Sequence, residues 1–145
     1  MSANIASDPL SVLERFRQAA IDESAEDMRD LYAANAVHEF PFSRPGLPSR
    51  LAGRDEILEF MTSFWGSGPL KYERYRTVAV HLTADPGTIV VDQEVTGTSG
   101  TTGSFVLPNL MVMTVRDGEI ARVRDFANLY AVDAAVGGQP GAVFD

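Results

Sequence analysis

From Lys71 to Tyr130 the chain reads as one strand after another, with only turn residues between them. The segments 71–82, 88–97, 104–116 and 119–130 carry the alternation and β-branched content of strands. Asp85-Pro86-Gly87, a Gly/Thr/Ser tip at 97–103 and Asp117-Gly118 separate them. Connections this short join neighbours, so this half of the chain is expected to form a long antiparallel meander. Such a sheet curves, and its apolar face must be covered by something else.

The cover comes from the first half. Asp8 followed by Pro9 reads as an N-cap and first helical position, and Leu10, Leu13, Phe16 and Ala20 form a stripe that ends near Ile21. Ser24 with Asp27 three residues on starts a second helix through Met28, Leu31 and Tyr32, expected to stop near Ala34. A short strand at 37–42 and a Pro- and Gly-broken loop at 43–49 follow. A third helix places Ile57, Phe60, Met61 and Phe64 on one face before Gly66. The expectation is therefore an α+β domain with three N-terminal helices packed on a curved antiparallel sheet, with an apolar pocket between the layers. One domain spans 1–145, with an ordered core at about 8–133 and a loose tail at 137–141.

Four strands interrupt an apolar face with one hydrogen-bonding residue each. Asp125 lies on the parity of Ala121, Val123, Ala127 and Leu129; Gln93 lies with Ile89, Val91 and Val95; Asn109 precedes Met111, Met113 and Val115; His38 shares its face with Phe40 and Phe42. A polar group there is costly unless it finds a partner, and several converging on one cavity is the pattern of a small-molecule site. Pro108 cannot donate to a ladder, so a bulge or bend is expected beside Asn109. Asp125 in apolar surroundings suits proton transfer, with a salt bridge to Arg122 or Arg124 as the purely structural alternative. His38 suits a relay, or else a hydrogen-bonded core position; Gln93 and Asn109 suit holding an oxygen, or else satisfying backbone. Phe16, Phe40, Phe60, Phe64, Trp65 and Met111 fit core packing and equally an apolar ligand. Asp92 and Glu94 fall on the outer sheet face.

The formal charge of -8 argues against nucleic-acid binding, which draws on Lys and Arg. With no cysteine and two histidines, a metal site is not expected. The opening MSANIASDPL lacks the basic and apolar regions of a secretory signal, and no 18 apolar residues run together, so no membrane partner and a cytoplasmic location are expected.

The order of elements, with YAANAVHEFP at 32–41, GRDEI at 53–57 and DGEIARVRDFAN at 117–128, resembles the nuclear transport factor 2-like superfamily. Within it the chain looks like SnoaL-like polyketide cyclases, ketosteroid isomerases, limonene epoxide hydrolases and phenazine-biosynthesis A/B proteins. The resemblance implies a cone-shaped α+β barrel and a homodimer through the outer sheet face. It places Asp125 where cyclases, epoxide hydrolases and phenazine proteins have a functional carboxylate, and His38 where the epoxide hydrolases have a water-binding tyrosine. Other family residues are replaced. Phe16 and Phe40 stand where ketosteroid isomerases have a catalytic tyrosine and aspartate, and Leu110 or Met111 near their second acid. Gln93 and Val95 stand for the epoxide-hydrolase arginine and second aspartate, and Phe60 for the phenazine histidine. The expected function is a cofactor-independent cyclase or isomerase of secondary metabolism, acting on an apolar polyketide-like compound with Asp125 as acid/base, helped by His38, and Asn109 and Gln93 steadying an oxygen. The alternatives are a water-activating hydrolase or dehydratase, and a non-catalytic binding module.

Overall fold

The computed structural model describes residues 8–137. Among them, helices α1 (Pro9–Asp22), α2 (Ala25–Leu31), α3 (Arg54–Ser67) and α4 (Leu129–Val136) pack on one sheet. Its strands are β1 (Tyr32–Glu39), β2 (Arg50–Ala52), β3 (Leu70–Leu82), β4 (Thr88–Ser99), β5 (Gly103–Arg116) and β6 (Glu119–Ala127), in spatial order β2-β1-β6-β5-β4-β3. The meander is antiparallel throughout, whereas β1 lies parallel to β6, so the sheet is mixed where an antiparallel one was expected. Only a crossover can join parallel neighbours, and the long chain from β1 to β6 is that crossover.

The first half follows its local signals closely. Asp8 caps α1 by accepting from the Ser11 amide at 2.8 Å, and Ser24 caps α2 by accepting from Asp27 at 3.1 Å. The second helix stops at Leu31 rather than Ala34, because Tyr32 turns extended and pairs with Ile120 on β6. Hence β1 covers 32–39 in place of 37–42. Phe40 still faces inward, but Phe42 sits 67 % exposed in the following turn against Phe126, off the face of His38. Arg50–Ala52 adds an edge strand that composition did not announce.

Three further expectations change. Pro108 pairs with Glu94 without any shift of register, and it lies just outside the stretch where β5 meets β6, so the predicted bulge is absent. The β5–β6 irregularity instead leaves Ala121 unpaired between Ile120 and Arg122, which moves Ile120 into the core in place of Ala121. Leu129 and Tyr130 do not extend the last strand. Asn128 accepts from the Ala131 amide at 3.0 Å and starts α4, whose end is Gly137 at φ 93°, a left-handed position that glycine adopts without strain. The tail expected at 137–141 lies, beyond Gly137, outside the described residues.

The main core lies between the helices and the concave side of the sheet, with Leu13, Met28, Tyr32, Ile57, Ile89, Met113 and Ile120 almost wholly buried. A second cluster of Leu70, Val95, Phe105 and Leu107 receives α4 through Ala135. The gap between them is the cavity. No helix among the described residues is long and apolar enough to cross a membrane.

Candidate active site

The cavity measures about 220 Å³ and opens between α1, α3, α4 and the concave sheet face. All ten residues singled out by sequence line it: Asp125, His38, Asn109, Gln93, Phe16, Phe40, Phe60, Phe64, Trp65 and Met111. The polar four form one row across the strands. Gln93 and Asn109 are direct partners on β4 and β5, and Asp125 on β6 is the diagonal neighbour of Asn109, whose own partner is Ala127.

The row is joined by hydrogen bonds with a fixed polarity. Arg17 on α1, which is buried, donates through Nε and Nη2 to Gln93 Oε1 at 3.1 and 2.9 Å. Gln93 Nε2 donates to Asn109 Oδ1 at 2.9 Å, and Asn109 Nδ2 donates to Asp125 Oδ1 at 2.9 Å. A guanidinium can only donate and a carboxylate only accept, so both amide orientations between them are dictated. From the other side, His38 Nε2 lies 3.3 Å from Asp125 Oδ2, and His38 Nδ1 lies 3.2 Å from the Tyr32 hydroxyl. Burial, and then the negative charge of Asp125, push the Tyr32 phenol well above its ordinary pKa, so it stays protonated and donates. The Asp125 carboxylate can only accept, so His38 faces it with hydrogen on Nε2, and the neutral imidazole then accepts from Tyr32 at Nδ1.

Asp125 is therefore the acceptor on which two chains of donors converge, and its side chain is 23 % exposed, facing the cavity. Among the described residues it forms no arginine salt bridge: Arg122 and Arg124 turn to Glu39. Glu94 pairs with Arg76, as an outer-face carboxylate does. A carboxylate oriented in this way can take a proton from a bound molecule and give it back. Among the described residues no three His, Asp or Glu side chains cluster as a metal site requires.

Sequence reasoning missed Arg17, Tyr32, Tyr72, Tyr75, Leu129 and Val132. Arg17 sits on the α1 stripe at the i+4 position from Leu13, a charge on an apolar face and thus a visible signal. Tyr72 and Tyr75 are three apart on β3, which strict alternation puts on opposite faces. A bulge at Glu73, between the Tyr72–Gly97 and Arg74–Thr96 pairs, brings both to the cavity.

The chain is similar to known proteins over most of its length. The SnoaL-like domain family matches residues 13–123, and the chain belongs to that family. It is 27% identical over 127 residues to the uncharacterised Bacillus subtilis protein YesE, covering 87% of this chain and 85% of that one. It is 31% identical over 110 residues to the PhzA/B-like protein PA3332 of Pseudomonas aeruginosa, covering 75% and 76%. The solved structure of a proposed isomerase from Bacillus subtilis superposes with a TM-score of 0.82 at 26% identity, over 90% of this chain and 94% of the other. A Mycobacterium ketosteroid isomerase and a phenazine biosynthesis-related protein of Pseudomonas aeruginosa, each 17% identical, share the fold. Fold and family together make the chain a SnoaL-like domain.

Proposed function

We propose that the protein is a cofactor-independent cyclase or isomerase of secondary metabolism that moves a proton next to a carbonyl of an apolar, polyketide-like compound. The observation that carries this reading is Asp125, a carboxylate held by Asn109 and His38 on opposite oxygens and open to an otherwise greasy cavity. Asp125 takes the proton from carbon, the electron pair passes toward the carbonyl oxygen, and the same carboxyl returns the proton after the double bond has moved or a ring has closed. His38 and Asn109 keep the carboxyl in place through both states. The walls hold the substrate in a reactive conformer, which supplies much of the rate for an undemanding ring closure.

Size narrows the substrate. The cavity of about 220 Å³ is about one and a half times the ~150 Å³ space that takes up benzene, so it suits one or two rings rather than four. We further propose a homodimer through the outer sheet face, where Leu110 and Val106 are exposed.

The test is turnover of a panel of mono- and bicyclic polyketide-like ketones, with product analysis, by wild type, Asp125→Asn and Ala127→Trp. General acid–base catalysis contributes roughly a hundredfold or more, so Asp125→Asn is expected to lose that much while still binding. Ala127→Trp, which fills the cavity, is expected to lose binding. Full activity in Asp125→Asn with none in Ala127→Trp would assign catalysis to shape alone. Oxygen from labelled water in the product would turn the reading to a hydrolase.

A further inference from the structure

The cavity contains two phenols that the Asp125 network leaves unused. Tyr72 and Tyr75 both line it, and among the described residues no group hydrogen-bonds either hydroxyl. Their rings are fixed. Tyr72 packs edge-on against Phe64 at 6.3 Å, Phe105 at 6.1 Å and Tyr75 at 6.2 Å between centroids, and the Arg17 guanidinium lies 5.4 Å from the Tyr75 centroid. Gly97 makes the arrangement possible, since a Cβ there would collide with the Lys71 carbonyl and crowd the Phe105 ring at the point where β3 bulges.

Neither hydroxyl is among the fully buried, unpaired polar atoms of the described residues, so both keep accessible surface, and a tyrosine O–H not spent on the protein can donate to a bound molecule. Two adjacent rigid phenols whose hydroxyls bond no protein group, beside the Asp125 row in a largely apolar pocket, form a recognition element for a ligand acceptor. Burial raises the pKa of both; Asp125 raises each further, Tyr72 raises that of Tyr75, and Arg17 opposes the shift at Tyr75 only in part. Both hydroxyls thus remain donors at any working pH. Gln93 and Asn109 are poorer candidates for the same task, for each spends its carbonyl and one N–H on orienting Asp125.

We propose that Tyr72 and Tyr75 are the oxygen-binding pole of the site, donating to a ketone oxygen of the ligand while Asp125 addresses the carbon beside it. The inference rests on the acid/base reading of Asp125 and adds the ligand class, a small ketone with an enolisable C–H. The step balances without any co-reactant. The C–H pair becomes the new C=C bond, the carbonyl π pair moves onto oxygen, Asp125 holds the proton, and the two phenols stabilise the enolate oxygen until the proton returns.

The experiment uses 1-indanone and indane, which differ by one carbonyl, with wild type, Tyr72→Phe, Tyr75→Phe, the double variant and Asp125→Asn. Calorimetry gives the affinity ratio, infrared spectroscopy the carbonyl stretch of bound indanone, and NMR in D₂O the exchange of its α-hydrogens. Wild type is expected to prefer indanone and to lower its carbonyl frequency. Each Phe variant keeps the ring and is expected to lose roughly three- to tenfold of the preference, with the double variant losing it and the frequency shift altogether. Asp125→Asn is expected to keep the preference and lose exchange. A double variant that retains preference and shift overturns the proposal, as does a wild type that shows no preference or binds neither probe at saturation. Exchange that is absent from wild type, beside a tyrosine-dependent preference, sinks the acid/base reading and leaves the oxygen pole standing.

Discussion

Tyr32 completes the hydrogen bonding of His38, although it does not itself line the cavity. It is completely buried, and among the described residues its hydroxyl is the donor set against Nδ1. Tyr32→Phe removes that donor and leaves Nδ1 an unpaired buried acceptor, while the Asp125 carboxylate, which can only accept, still keeps hydrogen on Nε2. The expected outcome is an Nε2–H tautomer retained in ¹⁵N spectra with the Nδ1 resonance shifted by loss of its hydrogen bond, and stability lower by about 1–3 kcal/mol for the buried acceptor left unmade. At the far end Arg17 has the matching role. Arg17→Met frees the Gln93 amide to rotate and leaves Oε1 unpartnered, at a similar cost of about 1–3 kcal/mol. Arg17→Lys is expected to recover part of the loss, because one ammonium replaces only one of the two donors to Oε1. Chemical denaturation of the three proteins checks the order.

Helix α4 is the element that closes the pocket, and it is tied at both ends. Leu129 and Val132 face the cavity, Asn128 caps the first turn, and Thr102 and Thr101 donate to the last carbonyls, Ala135 O at 2.7 Å and Val136 O at 3.0 Å. Between them Asp133 accepts both Arg44 Nη groups at 2.6 Å, which ties α4 to the loop that brings Leu47 to the cavity. Those hydrogen bonds hold the Asp133 carboxyl below its ordinary range, with burial opposing them and the Arg44 charge adding. A depressed folded-state pKa gives stability that is fully present above the ordinary carboxylate value near 4 and is lost as pH falls through the folded value. Hydrogen exchange of the α4 amides is therefore expected to be flat from pH 8 to 5, after correction for intrinsic rates, and to open in acid; Asp133→Asn is expected to be open throughout. This helix also marks where the sequence stopped being legible. Helices α1 to α3 and the meander follow caps, stripes and turn pairs that act within a few residues. The stretch after Phe126 continues an apolar alternation, and only Asn128 and Gly137 at its two ends distinguish helix from strand. Likewise the Asp125 row kept its parity because no bulge falls between Val123 and Ala127, whereas Tyr72 and Tyr75 needed the bulge at Glu73, which pairing with β4 creates and no local pattern announces.

At the scale of the whole molecule, the sheet has two faces and one domain can cover only the inner. On the outer face Leu110 is 38 % exposed at the centre of β5, directly opposite Phe126 on β6, which in turn supports Phe42; Val106 stands four residues along the same row. Ion pairs border this strip, with Arg76–Glu94 on one side and Arg122–Glu39 on the other. An apolar centre with a charged rim is the anatomy of a protein interface, and the centre of this one falls where a two-fold axis could set β5 against its own copy. The proposed homodimer therefore makes a sharp demand on Leu110. Leu110→Asp puts a charge at the centre beside Asp92, its partner on β4, and is expected to shift the mass in solution from dimer to monomer at micromolar concentration while leaving the melting curve of the monomer cooperative. Light scattering on wild type and variant decides it. A wild type that is already monomeric removes the dimer, and a variant that stays dimeric moves the interface elsewhere. The cavity lies on the inner side of the sheet, away from the proposed interface, and is expected to bind its ligand equally well in either state.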